Sequence, residues 1–369
     1  MSVPAVATAN NSILRATSPA RQSLRRWHNL CGLGVALVLI VTAFSGSVLV
    51  YKKPLIHWLA APAAEWSPDY NVAHVAQDLD VIQRRYAPAS ISLLKAPNPE
   101  EPYWTLIEKS GSRYLLATGS LNILAHNHWA MSALEWLRVF HTELLAGIPG
   151  EVVLLVTGLM SLFLLVSGLL LWWPARKRLH ARWLTPRRIR FKHLIQYHRH
   201  TGAVTAPVIL LVILTGSVML EQRLEFWVGR WLGQDTGAPV VTTDSSSDSA
   251  STAPASQLLP LAMSAAPDAW PTYIRLPTPD SAQARFRVRL AGEWHPNGRS
   301  TLTVDARRQE IIAAERSDEA GPGRRLLNQM YPLHSGYGLN TLYSFLVFVS
   351  GLACCWLATT GVLHWWRRR

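Results

Sequence analysis

The sequence predicts an α-helical integral membrane protein that has four transmembrane helices and two external α+β domains. Two observations lead to this fold class: the chain has four long apolar stretches, and its first half recurs in its second half. Hydrophobic residues make up 49% of the 369 residues and charged residues only 16%. This balance is typical of membrane proteins that also have sizeable aqueous parts.

Four stretches contain no Asp, Glu, Lys or Arg, and they cover residues 30–50, 152–173, 201–220 and 339–366. Each stretch has at least 20 residues. A helix that rises about 1.5 Å per residue would therefore cross roughly 30 Å of hydrocarbon in each case. The sequence predicts four membrane-spanning helices, with the lipid bilayer as their partner.

The charge distribution predicts how these helices are oriented. Segments 1–29, 174–200 and 367–369 contain sixteen Lys and Arg residues and no acid, whereas all 23 acidic residues lie in segments 51–151 and 221–338. By the positive-inside rule, both termini and the middle loop face the cytoplasm, and we expect a bacterial inner membrane. The net charge of +13 is then mostly a topology signal, and the basic loop is interpreted as a membrane-surface contact rather than a nucleic-acid site.

The second half of the chain repeats the first half in register. An offset of 170 residues aligns the first and third apolar stretches, and an offset of 193 aligns the second and fourth. The matched residues are His28 with His198, Gly32 with Gly202, Gly46-Ser47 with Gly216-Ser217, His141 with His334, Gly158 with Gly351, Gly168 with Gly361, and Trp172-Trp173 with Trp365-Trp366. Because both halves run in the same direction, we expect a tandem, parallel duplication with an approximate twofold axis along the membrane normal.

Each external domain is predicted to be a helix followed by a small antiparallel sheet. Helical periodicity occurs in "NVAHVAQDLDVIQRRY" and "ASQLLPLAMSAA", and strand-like patterns occur in "YWTLIE", "RYLLAT", "TYIRLP", "ARFRVRLA" and "STLTVDARRQEII". The predicted segments are a cytoplasmic N-terminal segment (1–29), the first span (30–52), a first periplasmic domain (53–125), an interfacial amphipathic helix (126–149), the second span (150–173), a basic cytoplasmic loop (174–198), the third span (199–222), a periplasmic linker (223–256), a second periplasmic domain (257–338), the fourth span (339–366) and a cytoplasmic tail (367–369).

Four histidines that recur in register are the main candidates for chemistry. His28 and His198 lie at the cytoplasmic ends of the first and third spans, and His141 and His334 lie just outside the external ends of the second and fourth. A b-type haem takes two neutral imidazoles from opposite sides of its iron and needs an apolar slot. The sequence therefore predicts two haem b sites, with His28 and His198 as the cytoplasmic ligands and His141 and His334 as the periplasmic ones.

Other residues have predicted supporting roles in these sites. The glycines that recur at 32, 202, 158 and 351 are expected to let the helices part around a haem ring. Haem propionates are anionic, so Arg25, Arg26 and Arg199 are candidate contacts on the cytoplasmic side and Arg138 on the periplasmic side.

Several alternatives stay open at this point. His364 lies near the cytoplasmic end of the fourth span and is an alternate ligand for the inner site. The four recurring histidines could also hold a bare metal ion or serve in packing and hydrogen bonding. Zinc is disfavoured because no further His, Cys or carboxylate completes a tetrahedral set near either pair. On the external side, His126, His128 and Glu143 are candidates for substrate contact.

Several motifs resemble a known family. "RRWHNLCGLG" and "YHRHTG" resemble the His-x-x-x-Gly opening of the PepSY-associated transmembrane (PepSY_TM) proteins, and "SGLLLWWPARK" and "TGVLHWWRRR" resemble that family's helix ends. "TLTVDARRQEII" resembles part of a PepSY domain. The resemblance covers nearly the whole chain and is strongest to the FoxB-type inner-membrane siderophore reductases. One departure is His364, where the other half has Leu171.

The resemblance implies two b-type haems and electron transfer to a ferric siderophore in the periplasm. The expected enzyme is a haem-dependent oxidoreductase that takes electrons from a cytoplasmic reductase or a quinol and releases iron as Fe(II). One rival is a transporter of the siderophore or of iron, which is disfavoured because the spans carry no acid or base apart from His364. A second rival is a non-redox regulator, which would tolerate the loss of all four histidines.

Overall fold

The computed structural model describes residues 18–178, 184, 193–220, 253–278 and 281–367. In chain order the helices are α1 (Pro19–Val50), α2 (Lys52–Ala60), α3 (Val72–Arg85), α4 (Trp129–Glu143), α5 (Ile148–Trp172), α6 (Leu194–Leu220), α7 (Ala255–Met263), α8 (Pro322–Ser335) and α9 (Thr341–Trp366). The strands are β1 (Ile91–Lys95), β2 (Tyr103–Glu108), β3 (Arg113–Ala117), β4 (Ile123–His126), β5 (Trp270–Arg275), β6 (Gln283–Arg289), β7 (Ser300–Asp305) and β8 (Glu310–Glu315).

Among the described residues, four helices are long and apolar enough to cross a membrane, namely α1, α5, α6 and α9. Both α1 and α6 pack against α5 and against α9. In the four-helix bundle, α1 and α6 therefore lie diagonally opposite each other. This arrangement makes the protein a multi-pass membrane protein, in agreement with the four apolar stretches of the sequence.

Two of these helices begin five or more residues before the predicted spans. Helix α1 starts at Pro19, eleven residues before the predicted span, with proline in the first turn where its missing N–H is not needed. Helix α6 starts at Leu194 rather than at 199. His28 therefore lies inside α1 rather than at its mouth. Most of the predicted N-terminal segment, basic loop, periplasmic linker and tail lies outside the described residues.

Glycines bring the helices together in the middle of the bundle. A Cβ atom on Gly158 would lie 2.5 Å from Ser217 Oγ, and one on Gly351 would collide with Ser47 Oγ. Ser47 Oγ in turn donates a hydrogen bond of 3.2 Å to the Phe348 carbonyl on α9. The expectation that Gly158 and Gly351 part the helices around a ring is therefore wrong, because each of them admits a serine from a neighbouring helix.

The external strands form one continuous antiparallel sheet of eight strands rather than two separate sheets. Its strand order is β4-β3-β2-β1-β5-β6-β7-β8, and the two halves join where β1 pairs with β5 through Leu94 with Ile274 and Lys95 with Tyr273. The prediction of two small sheets is wrong in this respect. Unpaired strand edges are unfavourable, and pairing the edge of one half with the edge of the other removes two of them.

Helices α3 and α7 pack against each other and cover one face of the sheet. The largest fully buried side chains of this core include Trp104 and Phe286. The core also contains the carboxylate of Asp78, which accepts hydrogen bonds from Tyr70 Oη at 2.6 Å, Trp104 Nε1 at 2.9 Å and the Gly119 amide at 3.1 Å. A buried charge is tolerated here because three donors surround it.

Candidate functional site: two histidine pairs

The first pair joins two diagonal helices near one end of the bundle. His28 lies in the second to third turn of α1, and His198 lies in the second turn of α6. The centroids of their imidazole rings are 6.3 Å apart. The sequence repeat predicted that these two histidines face each other, and the structure brings them together.

The second pair lies at the opposite end of the bundle and belongs to helices outside the four spans. His141 lies in the last turn of α4, and His334 lies in the last turn of α8. Their ring centroids are 6.2 Å apart. Helix α4 packs on α1 and helix α8 packs on α6. The second pair is therefore held by the same two diagonally opposite helices, α1 and α6, that carry the first pair.

Both separations fit one metal ion shared by two imidazoles. A metal–nitrogen bond of about 2.0 Å and an imidazole ring radius of about 1.1 Å, from ring bonds of about 1.33 Å, place each ring centroid about 3.1 Å from the metal. Two rings on opposite sides of one ion are then about 6.2 Å apart. The observed values are 6.3 and 6.2 Å.

Hydrogen bonds orient the rings of His28 and His198, the inner pair. His28 Nδ1 lies 2.8 Å from Ser167 Oγ on α5. His198 Nδ1 lies 3.0 Å from the Leu357 carbonyl and 3.2 Å from Thr360 Oγ1 on α9. Ser167 and Thr360 are 193 residues apart, so the two partners occupy the same position in the repeat.

His141 and His334, the outer pair, likewise place Nδ1 against hydrogen-bond partners, here on α1 and α6. His141 Nδ1 lies 3.0 Å from the Thr42 carbonyl and 3.1 Å from Ser45 Oγ. His334 Nδ1 lies 2.9 Å from the Val212 carbonyl, and Thr42 and Val212 are 170 residues apart. A carbonyl accepts only from a protonated Nδ1, which leaves the lone pair of Nε2 for a metal.

Glycines provide the surfaces against which the four rings lie. A Cβ atom on Gly46 would be 2.7 Å from His141 Cε1, and one on Gly216 would be 2.6 Å from His334 Cε1. The corresponding distances to Cε1 are 3.3 Å from Gly168 to His28 and 3.5 Å from Gly361 to His198. These glycines matched in the sequence repeat, but the sequence did not reveal their contacts.

The glycines predicted for this role at the cytoplasmic end have other contacts. A Cβ atom on Gly32 would lie 3.7 Å from Leu164, and one on Gly202 would lie 3.4 Å from Leu357. These are ordinary contacts between helices. Gly32 and Gly202 thus face leucines of neighbouring helices rather than the histidine rings, and their expected role of letting the helices part around a ring stays a prediction.

The family model for the PepSY-associated TM region matches residues 25–368, which include all four histidines and both halves of the repeat. The chain belongs to the PepSY-associated TM family. No curated protein matches it.

In this PepSY-associated TM protein the outer imidazoles are neutral. Burial, together with a smaller effect of the neighbouring His334, lowers the pKa of His141 to about 4. Burial also lowers the pKa of His334. Only the neutral form of imidazole has a lone pair with which to bind a metal, so both rings are in the competent form at neutral pH.

Arginines gather at the end of the bundle that holds the inner pair. Arg199 is half-buried on α6, close enough to Arg21 and Arg25 to feel their charges, while Arg25 and Arg26 are exposed on α1. Arg21 also donates a hydrogen bond of 3.0 Å to the Leu171 carbonyl on α5. Arg21 was not among the predicted propionate contacts, although it lies two turns before His28 on the same helix.

Arg138, the predicted external propionate contact, is engaged in an ion pair. Its guanidinium lies 2.7 Å from Glu135 Oε1, and Lys52 Nζ lies 2.9 Å from Glu135 Oε2. This network links α2 and α4 at the end of the bundle that holds His141 and His334.

The external residues predicted for substrate contact do not converge. His126 stacks on Tyr114 with ring centroids 4.4 Å apart, on the edge strand β4. His128 caps α4, because its Nδ1 accepts a hydrogen bond of 3.3 Å from the Ala130 amide. Glu143 is the last residue of α4, next to the turn that leads into α5. For His126 and His128, a structural role accounts for the side chain.

The inner site contains His198 opposite His28, and His364 lies one turn beyond Thr360 on α9. The described residues contain no group of three or more His, Cys, Asp and Glu side chains that could hold a metal ion. Two imidazoles alone are a poor site for a bare ion. A pair of imidazoles would suit haem, whose macrocycle would supply the remaining nitrogen ligands, and His28 with His198 and His141 with His334 would hold it.

Proposed function

We propose that this protein is an inner-membrane di-haem b reductase that passes electrons across the membrane to a periplasmic ferric siderophore and releases iron as Fe(II). The observation that carries the proposal is the two histidine pairs, whose ring separations of 6.3 and 6.2 Å would suit one haem iron each. The donor would be a cytoplasmic reductase or a quinol, and both termini would be cytoplasmic.

The positions of the two pairs along α1 support transfer across the membrane. His28 is on α1 itself, and His141 lies against Thr42, Ser45 and Gly46 of the same helix. These contacts are 14 to 18 residues beyond His28, which corresponds to roughly 21–27 Å along the helix axis. This separation approaches the thickness of the hydrocarbon layer, so each pair would lie near one face of the membrane.

Haem bound by these pairs would supply one-electron Fe(III)/Fe(II) chemistry. The chain's own contribution is to hold each imidazole as the Nδ1–H tautomer, through Ser167, Leu357, Thr42 and Val212. The arginines at the inner end would balance propionate charge. The external sheet and helices α4 and α8 would enclose the outer site on the side from which a ferric chelate arrives.

Release of iron follows from the preference of each oxidation state for ligands. Siderophores hold iron through hard oxygen donors, which suit Fe(III) better than Fe(II). A single electron therefore weakens the chelate enough for the metal to leave. The substrate would be an Fe(III) chelate with oxygen donors, and its identity beyond that class is set by surfaces other than the histidine pairs.

The first test is spectroscopic. Protein purified in detergent after haem-sufficient expression should show reduced-minus-oxidised b-type bands and about two haems per chain by pyridine haemochrome. His28→Ala or His198→Ala should remove one haem, and His141→Ala or His334→Ala should remove the other. His200→Ala, two residues from His198 on the same helix, is a matched control that should retain both. Colourless wild-type protein would refute the proposal.

A second test addresses the reaction. The dithionite-reduced protein, freed of excess reductant, should be reoxidised by an Fe(III) trihydroxamate while a ferrous chelator reports Fe(II). His334→Ala should abolish Fe(II) formation, whereas the exposed His126→Ala should not. His364→Ala tests whether His364 is a ligand of the inner site. If this variant retains two haems, His28 and His198 are the ligands of the inner haem. If the protein binds two haems but does not reduce a ferric chelate, the proposed cofactor would stand and the proposed substrate would be refuted.

A further inference from the structure

A buried cluster of three charged side chains lies on the external side of the bundle. Lys53 Nζ, at the start of α2, is 2.6 Å from Glu101 Oε2, and Lys95 on β1 contacts the same oxygen. The side chains of Lys53, Lys95 and Glu101 are only 16%, 7% and 10% exposed. Two ammonium groups share one carboxylate, so the cluster has one more positive than negative group. Buried charges normally occur in balanced pairs, which makes the excess cation unusual.

This cluster is linked to both elements that position the outer histidines. Lys53 Nζ lies 3.5 Å from the centroid of the Tyr337 ring, and Tyr337 follows His334 by three residues. On the other side, Lys53 is seven residues beyond Gly46, against which His141 lies. Helix α1 ends at Val50 and α2 begins at Lys52, so Lys53 lies just beyond the end of the helix that carries Gly46. Seven residues at about the helical rise place it on the order of 10 Å further along.

The groups that face Lys53 come from four different elements. They are Glu101, Lys95, Tyr337 and His295, the last of which lies between β6 and β7. Burial opposes the charge of Glu101, but Lys95 and Lys53 hold its pKa at about 2, so it stays ionised. Burial raises the pKa of Tyr337 and lowers that of His295 to about 3, so both are neutral at pH 7.

Lys95 and Lys53 differ in their response to burial. Burial lowers the pKa of Lys95, but Glu101 more than offsets this and the pKa is raised overall. For Lys53, burial is the largest cause and brings the pKa down to about 7, against the opposing effect of Glu101. The surroundings therefore disfavour the charged form of Lys53, whereas they favour that of Lys95.

We propose that Lys53 is the charge-compensating group of the outer haem site. Its Nζ takes up one proton from external water when one electron occupies that site, and returns the proton when the electron passes to the ferric chelate. The electron originates from a quinol or a cytoplasmic reductase. One electron and one proton arrive and one of each leaves, so the buried region keeps its net charge. This inference rests on the proposed function and assigns a specific residue to its outer site.

Electrostatics gives the size of the expected effect. A unit charge on the order of 10 Å away, at an effective dielectric constant of about 20, changes the equilibrium for adding an electron by roughly tenfold. For a one-electron couple, tenfold corresponds to about 59 mV.

The test is a potentiometric titration of the outer haem at pH 6 and pH 8, followed by visible absorption. The outer haem is the one that His334→Ala removes. In the wild type its midpoint potential should fall between pH 6 and pH 8. Lys53→Met should hold it near the low limit at both pH values, and Lys53→Arg, which is always protonated, should hold it near the high limit. Lys52→Met, the adjacent lysine paired with Glu135, should behave as the wild type.

The two variants of Lys53 separate charge compensation from a structural role. Disturbed packing would move the potential in the same direction in both variants, and that result would overturn the inference. A wild-type pH dependence that persists in Lys53→Met would also overturn it. If one variant fails to fold, the other still shows whether the pH dependence is lost. Colourless wild-type protein would instead count against the proposed function.

Discussion

The contact between Gly46 and His141 provides the sharpest test of the outer site. In the variant Gly46→Ala, the new Cβ atom would lie 2.7 Å from His141 Cε1. Non-bonded carbon atoms prefer about 3.5–4.0 Å, so the ring has to retreat by roughly 1 Å. Metal–ligand distances tolerate only about ±0.2 Å. We therefore expect Gly46→Ala to lose the outer haem and to retain one haem per chain.

The chain offers a graded set of controls for this prediction. Gly216→Ala, with 2.6 Å to His334 Cε1, should have the same effect as Gly46→Ala. Gly168→Ala, with 3.3 Å to His28 Cε1, should retain haem but alter the spectrum of the inner site, and Gly361→Ala, at 3.5 Å, should be tolerated. Gly34→Ala meets nothing within 4 Å and controls for alanine in the same helix as Gly46.

The assay is a pyridine haemochrome count with visible spectra of monodisperse protein in detergent. Two haems with wild-type spectra in Gly46→Ala would refute the reasoning, because the ring would then not be positioned by this contact. Loss of haem in Gly34→Ala to the same extent would refute it as well, since the effect would belong to the helix and not to the histidine.

Three further predictions concern hydrogen bonding and stability. Ser167→Ala removes the partner of His28 Nδ1 and should weaken haem retention at the inner site about 10–100-fold, measured by haem transfer to an apoprotein acceptor. Thr360→Val should have less effect, because the Leu357 carbonyl remains as a partner of His198 Nδ1. Asp78→Ala strands two buried donors, Tyr70 Oη and Trp104 Nε1, and also removes the acceptor of the exposed Gly119 amide. It should lower the free energy of unfolding by about 3 kcal/mol in thermal melts, with the exposed Asp69→Ala as control. Burial and nearby cations lower the pKa of His295 to about 3, so the unfolded chain takes up this proton first as the pH falls from about 6.5. Stability should then decrease towards pH 3 by at most about 1.4 kcal/mol per pH unit, and a melting profile whose slope is unchanged in His295→Gln would contradict this.

The histidine pairing could be predicted from the sequence because it depends on equivalence rather than on detailed packing. Two stretches with the same pattern are expected to adopt the same local structure, and the matched residues His28 and His198 do lie together. The roles of individual small residues did not follow from the same argument. Gly32 and Gly46 both recur in the repeat, but only the packing of α4 on α1 places a histidine ring against Gly46.

The sequence by itself determined the four spanning helices, the amphipathic helix α4 and most of the external strands. These features depend on the length and period of apolar residues, which are local properties of the chain. Only the tertiary structure decided that β1 pairs with β5, and that Lys53, Lys95 and Glu101 meet beside Tyr337. The physical reason is that strand edges and buried charges are satisfied by partners distant in sequence, and no local pattern specifies which partner that is.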